Sequence, residues 1–289
     1  MGEMIRVVTD SSCDLSSNLL EEFGIEVVPL SVLFGSEVYA DGELSLDEFW
    51  DKAAGPQLPK TSQPPVGAFE AVFERIVAGG GRVLCLTLTG KHSGTVNSAH
   101  VAAQRFGGVV QIFDSHSLSL GLGWQAVSVA KAVREGWRMP EILDMLEGLR
   151  ARMRLLIVLD TLENLRHGGR ADAFIAVADR MTRALNIKVL IDVVDGQLRL
   201  SGAARSFKGA LRRVLDAVGR LDSLEHLAVV HTRNQPLAEW VAKQLAQRIG
   251  FPEERIWLAE TGPVLASHAG PGVIGVMAVP VAATAVDPS

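Results

Sequence analysis

Short apolar runs alternate with segments of helical periodicity through the first half of the chain. Residues 5–10, 82–88 and 109–113 have the length and continuous apolar character of buried strands, and polar residues follow each of them. After the second run, apolar residues recur at helical spacing over 96–106. This repeated strand–helix order predicts a mainly parallel sheet with helices on both faces, a three-layer α/β/α arrangement.

The segment between the first two of these strands interrupts that order. Its pattern predicts a second strand over 26–33 and a small β excursion over 34–42 that turns tightly at Asp41-Gly42. A Pro-rich segment over 55–65 predicts a loop, and a helix with an apolar face follows it.

The pattern changes after residue 153. Asp195-Gly196 between two apolar runs predicts a β-hairpin, and His268 falls in a Gly-rich segment that predicts a loop. A hairpin combined with strand–helix crossovers predicts a mixed α+β sheet covered by helices. The predicted elements are strands over 155–159, 188–193, 197–201, 227–231, 255–259 and 273–279, helices over 161–166, 171–185, 206–220 and 236–249, and a loop over 262–272.

Length and composition support two domains. The chain has 289 residues and is 48% apolar, which is more than one core usually holds. We place an N-terminal α/β domain at 1–153, a C-terminal domain at 154–280 and a tail at 281–289.

Charge and composition also exclude several classes of protein. A net charge of −5 argues against a general nucleic-acid binder. The two cysteines, Cys13 and Cys85, have no metal or redox spacing, so neither a disulfide scaffold nor a metal site is predicted. The first residues lack the apolar region of a signal peptide, and the longest apolar run is too short to span a bilayer. We therefore expect a cytoplasmic protein without stable membrane insertion.

The turn after residue 88 is the first candidate for chemistry. Ser93 and Thr95 stand at a predicted helix start, where free N–H groups favour an anion or a carboxylate. The same residues could simply cap the helix. A Ser93–His268–Asp114 catalytic triad is compatible with the residue types, but the order G-x-S-x-G of a nucleophile elbow is absent because His92 holds the serine position.

Other candidates are open to two interpretations each. Thr61-Ser62 precedes Pro64-Pro65, so it is either a helix entry or a site. His268 lies near Gly-rich turns and could donate to a carboxylate, although loop histidines are often just exposed. Arg170 follows two glycines that permit close approach to a phosphate or another backbone. A basic cluster, interpreted mainly as a solvated helix face, comprises Arg199, Arg205, Lys208, Arg212 and Arg213.

Seven groups of residues form a specific combination along nearly the whole chain. They are Thr9-Asp-Ser-Ser12 with Asp14-Leu15, Asp41-Gly42, Pro59-Lys-Thr-Ser-Gln-Pro64, Leu88 through Ser93-Gly-Thr95 to Ser98-Ala99, Asp114-Ser115 with Ser119 and Gly121-Leu-Gly123, Leu165 with Gly168-Gly-Arg170, and His268-Ala-Gly-Pro-Gly272. In this order and spacing they resemble the DegV family, bacterial fatty-acid-binding proteins that serve fatty acid kinase. Two departures from the family pattern are mild: Ala171 replaces a β-branched residue, and Val96 replaces an aromatic one.

The resemblance implies two α/β domains, with a long acyl chain buried in the first and its carboxylate near the cleft between them. By match, the residues that hold the carboxylate are Thr61, Ser62, Ser93, Gly94 and His268. Arg170 and Arg205 match basic positions that serve the kinase partner or the phosphate.

The resemblance also implies a division of labour between two proteins. The kinase catalytic subunit would bind ATP and phosphorylate the presented carboxylate, and the acyl phosphate would feed phospholipid synthesis. The chain itself would be a non-catalytic carrier without a cofactor, and no G-x-x-x-x-G-K-[ST] loop is present. The alternative is a stand-alone serine hydrolase or acyltransferase that uses Ser93 and His268. Chain length, unsaturation and oligomeric state are not predicted.

Overall fold

A computed structural model describes residues 4–168, 187–221 and 223–282 of the chain. Arg170 and the helix predicted over 171–185 lie outside these residues, as does most of the predicted tail. The helices and strands are numbered below in chain order.

The first part of the chain contains a four-stranded sheet, a small three-stranded sheet and helices around them. Its strands are β1 (Ile5–Asp10), β2 (Glu26–Val28), β3 (Ser31–Phe34), β4 (Glu37–Ala40), β5 (Lys60–Ser62), β6 (Arg82–Thr87) and β7 (Val110–Asp114). Its helices are α1 (Ser17–Phe23), α2 (Leu46–Ala53), α3 (Val66–Ala78), α4 (Thr95–Ala103), α5 (Leu120–Arg134) and α6 (Met139–Arg152).

The four-stranded sheet has the order β2-β1-β6-β7, and all of its pairings are parallel. On one face, Phe69 and Phe73 of α3 and Ala99 of α4 pack against Val8 and Cys85 of the strands. The buried helix α5 packs against β1 and β6 on the other face. The predicted parallel three-layer arrangement is therefore confirmed.

The small sheet, with the order β4-β3-β5, differs from the prediction for this segment. The single strand predicted over 26–33 is two strands, because the chain changes sheets around Pro29, which has no N–H to donate to a ladder. Phe34 pairs with Glu37, so the hairpin turns at Gly35-Ser36 and not at Asp41-Gly42. Within the predicted Pro-rich loop, residues 60–62 form β5, which pairs with β3.

The second part of the chain forms a six-stranded mixed sheet with the order β10-β9-β8-β13-β11-β12. Within this sheet, β11–β12 is the one parallel pair among the described residues, and the other four pairings are antiparallel. The predicted hairpin is confirmed: β9 and β10 meet at Asp195 and Gly196, whose φ angles are both positive. The elements are β8 (Arg154–Leu159), α7 (Glu163–Gly168), β9 (Lys188–Val194), β10 (Gln197–Ala204), α8 (Phe207–Val218), β11 (Leu224–His231), α9 (Gln235–Ile249), β12 (Trp257–Glu260), α10 (Pro263–Ala269) and β13 (Ile274–Pro280).

The six-stranded sheet buries both of its faces against different neighbours. Val276 and Ala278 of β13 point to one face and share a core with α8 and α9. Met277 and Val279 point to the other face and belong to the core that includes α5 and Leu86 of the first sheet. One apolar core therefore continues from the first part of the chain into the second.

Helix α10 corrects the loop predicted over 262–272. Pro263 occupies the first turn of the helix, where its missing N–H costs nothing, and His268 lies near the end of the helix rather than in a loop. Both cysteines are free and buried. Within the described ranges, none of the helices is long and apolar enough to cross a bilayer.

Candidate binding site

A partly open cavity lies between the first part of the chain and the six-stranded sheet. Both parts contribute to its wall, and the burial of an acyl chain in the first domain stays an expectation from the resemblance. The apolar lining residues include Leu30, Leu88 and Leu118 from the first part and Leu155, Ile157, Leu159, Leu165, Ile191, Leu198, Val230, Val264, Leu265 and Val273 from the second.

Four polar side chains from three separate elements line this cavity, and we call the part of the wall around Thr61 and His268 the polar end. They are Thr61 and Ser62 of β5, Ser93 of the turn after β6, and His268 of α10. Thr61 Oγ1 and His268 Nε2 are 2.7 Å apart and share a hydrogen bond. Thr61 and His268 are half-buried while Ser62 is exposed, so the polar end reaches solvent. The structure thus brings together four of the five residues assigned to the carboxylate by resemblance.

The contacts of Ser93 do not assemble a catalytic triad. Ser93, the residue before the N-cap Gly94, has its Oγ 2.8 Å from Thr95 Oγ1 and accepts the Thr95 N–H at 3.2 Å. The Asp114 carboxylate accepts the N–H groups of Gly90 and His116, both at 3.0 Å. Since His268 Nε2 is bonded to Thr61, the three side chains of the hypothetical triad all have other partners.

Gly94, the fifth residue of the set, is covered by Gln63. A Cβ atom at position 94 would lie 1.9 Å from Gln63 Oε1. The other end of this amide donates from Nε2 to Ser98 Oγ at 2.7 Å. Gln63 therefore links the end of β5 to the first turns of α4, and a side chain at position 94 would displace the Gln63 amide from this link. The sequence motif contains both residues but gives no sign of this contact.

Carboxylates at the ends of neighbouring strands hold the turn that carries Ser93. Asp10, the last residue of β1, accepts the Leu88 N–H at 2.7 Å, and Asp114, the last residue of β7, accepts the Gly90 N–H. Burial raises the pKa of Asp10 to about 6. Asp10 and Asp114 thus meet the turn at the carboxyl-end edge of the sheet and fix its backbone.

Two hydrogen bonds tie the same turn to the β9–β10 hairpin of the second part. The Thr89 hydroxyl donates to the Gly196 carbonyl at 2.9 Å. His92 Nε2 accepts the Leu198 N–H at 3.1 Å. Because Leu198 also lines the cavity, these bonds close one side of it.

Buried carboxylates from the first part anchor the helix that carries His268. Asp14 accepts the Gly262 N–H at 2.9 Å and the hydroxyl of Ser119, and Asp41 accepts the Val264 N–H at 3.3 Å. Burial raises the pKa of Asp14 to about 7 and that of Asp41 to about 6. The resemblance included both aspartates, but their contact with α10 was not predicted.

The remaining candidates lie elsewhere or outside the described residues. Arg205 is exposed between β10 and α8, and Arg170 is among the residues that the structure does not describe. Gly168, two positions earlier, touches the imidazole of His268: a Cβ at 168 would lie 2.1 Å from Nδ1. Gly121 lies within the buried helix α5, where a Cβ would lie 2.1 Å from Ser117 Oγ, so this glycine permits close packing.

Comparison with known proteins places this architecture among described relatives. The family model described as "Uncharacterised protein, DegV family" matches residues 4–281. A DegV domain-containing protein of Deinococcus radiodurans is 36% identical over 287 residues, which cover 96% of this chain and 99% of the relative. A DegV domain-containing protein of Lactococcus lactis is 31% identical over 277 residues, with 94% and 98% of the two chains covered.

Solved structures give the same result. A DegV family protein from Thermus thermophilus, described as fatty acid binding, superposes with a TM-score of 0.85 at 31% identity, covering 96% of this chain and 100% of the other. A stearic acid-binding protein from Eubacterium ventriosum gives a TM-score of 0.86 at 27% identity, covering 96% and 98%. The match spans both sheets and the cavity between them, and this chain belongs to the DegV family.

Proposed function

We propose that this protein binds one long-chain fatty acid, with the acyl chain in the cavity between the two parts and the carboxylate at its polar end. The cavity carries the proposal: its wall is apolar over most of its extent, and the Thr61 hydroxyl and the His268 imidazole meet in it. The fatty acids bound by the relatives from Thermus thermophilus and Eubacterium ventriosum support this choice of ligand.

Burial of the acyl chain supplies the main driving force. A chain of about 14 methylenes gains roughly 11 kcal/mol at about 0.8 kcal/mol for each group buried, before the costs of association. A neutral hydroxyl contact to the carboxylate contributes far less, about 1 kcal/mol net. The acyl chain therefore determines the affinity, and the polar end of the cavity determines which end of the ligand faces solvent.

The donors at the polar end suit a carboxylate that must remain reactive. When His268 Nε2 carries a proton, it donates to Thr61 Oγ1, and the Thr61 hydroxyl proton is then free to point at the ligand. Ser62 and Ser93 add further hydroxyl groups. Neutral donors hold the oxygen more weakly than a bidentate arginine would, so its electrons remain available for attack on phosphorus.

The finer proposal is that the bound carboxylate is presented to a fatty acid kinase. The partner would bind ATP and form the acyl phosphate, while this chain would act in the cytoplasm as a non-catalytic carrier without its own cofactor. Arg170 and Arg205 would serve the partner or the transferred phosphate. This assignment is supported by the family membership and by the exposure of Arg205.

The alternative of a serine hydrolase is less well supported by the geometry. A serine nucleophile needs a base within hydrogen-bond reach, whereas Ser93 contacts Thr95 and His268 Nε2 contacts Thr61. Covalent labelling of Ser93 by an acyl-directed fluorophosphonate probe would favour this alternative.

The test is native mass spectrometry of the protein as expressed in a bacterium, followed by organic extraction of what it carries. One fatty acid per chain is the expected result. A chain that carries no lipid, and takes up none from a mixture of fatty acids after delipidation, would contradict the proposal.

A further inference from the structure

A row of side chains crosses the face of the six-stranded sheet that forms the cavity wall. Strand β13 lies between β8 and β11, and Gly275 pairs with Ile157 on one side and with Val230 on the other. Ile157 in turn pairs with Ile191 of β9. Because directly paired residues point to the same face, all four positions face the cavity, and all four line it.

Gly275 is the one position of this row without a side chain, and its neighbour Val230 occupies the space. A Cβ atom at position 275 would lie 2.6 Å from Val230 Cγ2 and 3.7 Å from Leu155 Cδ1. Real Cβ atoms do not approach so closely, so any larger residue would force Val230 to move. Val230 is 7% exposed and is enclosed by the core everywhere except towards the cavity.

We propose that Gly275 determines the selectivity of the site by setting the width of the cavity beside Val230. A side chain at 275 fills the wall itself and displaces a valine methyl group, and both changes narrow the space for the acyl chain. A straight saturated chain has a smaller cross-section than a chain bent by a cis double bond. The present glycine therefore admits bent chains that alanine would exclude. This inference rests on the proposed fatty acid binding.

The variant Gly275→Ala tests the inference by competition. Delipidated protein is incubated with an equimolar mixture of stearic acid and oleic acid, which have equal length and differ by one cis double bond, and the bound acids are measured by native mass spectrometry. We expect the ratio of bound oleic to bound stearic acid to fall about tenfold in the variant, the size of effect typical of an overpacked site.

A second variant shows whether a change in the ratio comes from the width of the cavity or from a loss of fold stability. Val230→Ala removes the methyl group that alanine at 275 would strike, so Gly275→Ala/Val230→Ala should regain at least most of the wild-type ratio. Gly67→Ala in α3 is the matched control, because a Cβ there meets nothing within 4 Å and position 67 is exposed. If Gly275→Ala does not fold, the double variant is compared with Val230→Ala. The ratio of bound oleic to bound stearic acid should then be lower in the double variant, by less than the tenfold fall expected for Gly275→Ala alone.

The outcomes distinguish this inference from the proposed function. Wild-type protein that binds neither acid contradicts the proposed function itself. An unchanged ratio in folded Gly275→Ala, or an equal loss of both acids without recovery in the double variant, overturns the role of Gly275 and leaves fatty acid binding intact.

Discussion

The Thr61 hydroxyl and the His268 imidazole meet although 207 positions separate them in the chain. One belongs to a short strand of the first part and the other to a helix of the second, so their hydrogen bond forms only when the two parts pack together. A ligand carboxylate beside this pair would contact both parts of the chain at once. The site is therefore sensitive to small displacements of either group.

Replacing Thr61 by valine removes this hydrogen bond with little change in shape. We expect Thr61→Val to weaken fatty acid binding about tenfold, because one donor to the carboxylate is lost and His268 loses its partner. Displacement of a fluorescent fatty acid measures the affinity. Thr87→Val makes the same atomic change within the buried strand β6 and should leave the affinity near that of the wild type. Equal affinities for Thr61→Val and the wild type would remove Thr61 from the site.

Gly168 offers a way to move His268 without changing it. A methyl group at 168 would overlap the imidazole, so Gly168→Ala should shift the ring and break its bond to Thr61. We expect binding to fall about as much as in Thr61→Val, and the two substitutions together to cost little more than either alone. The matched control is Gly148→Ala in α6, where a Cβ meets nothing within 4 Å. Fully additive losses would show that Gly168 acts by another route.

The sequence predicted the members of the site better than their roles. The resemblance grouped Thr61, Ser62, Ser93 and His268 because the family motif is carried by residue type and order. All four line one cavity, and their contact with a carboxylate stays a prediction. The assignment of Gly94 to the ligand stays a prediction, and the structure adds that the missing side chain at 94 leaves room for Gln63. Such a role depends on a contact between segments distant in the chain, which periodicity and local motifs do not encode.

Helix α10 is one of the elements that local sequence signals failed to predict. It spans only Pro263–Ala269 between Gly262 and Gly270, too short for a recognisable apolar stripe. Its first N–H groups are satisfied by Asp14 and Asp41, which come from the other part of the chain. A short helix is marginal alone, so this one depends on tertiary contacts.

These aspartates should give the fold a distinctive pH dependence. Burial raises the pKa of folded Asp14 to about 7 from its ordinary value of 3.8, so near pH 5 to 6 the folded state holds a proton that the unfolded chain has already released. Stability from this group is full below the unfolded pKa and is lost as pH rises through the folded pKa. The free energy of unfolding of the wild type should therefore fall by about 2–3 kcal/mol relative to that of Asp14→Asn between about pH 5 and pH 8.

Urea unfolding of both proteins at the two pH values measures this difference. Exposed Asp47→Asn in α2 provides a control that should track the wild type. Parallel stability profiles for the wild type and Asp14→Asn would show that Asp14 titrates normally in the folded protein.

At the scale of the whole molecule, the cavity lies where the two sheets share a core. The sequence predicted both sheets and their types but not that the second sheet forms part of the cavity wall. The reason lies in strands such as β13, which is buried on both faces. Its continuous apolar run cannot distinguish the face that packs on helices from the face that lines a cavity. The domain boundary at 153 stays a prediction, since the core crosses it.

Binding in a shared cavity should stabilise both parts of the chain together. Ligand at about 100 times its Kd adds roughly 2.7 kcal/mol to the free energy of unfolding. Hydrogen exchange should then slow in β8 and in the turn over 88–95, because both border the cavity and the turn is bonded to the hairpin. The fatty alcohol of equal length is the matched probe: it fills the cavity without a carboxylate, so it should protect β8 while protecting the region of Thr61 and His268 less. Protection confined to the first part would support burial of the acyl chain in that domain, as the resemblance implies. It would also mean that the space beside β8 serves another ligand.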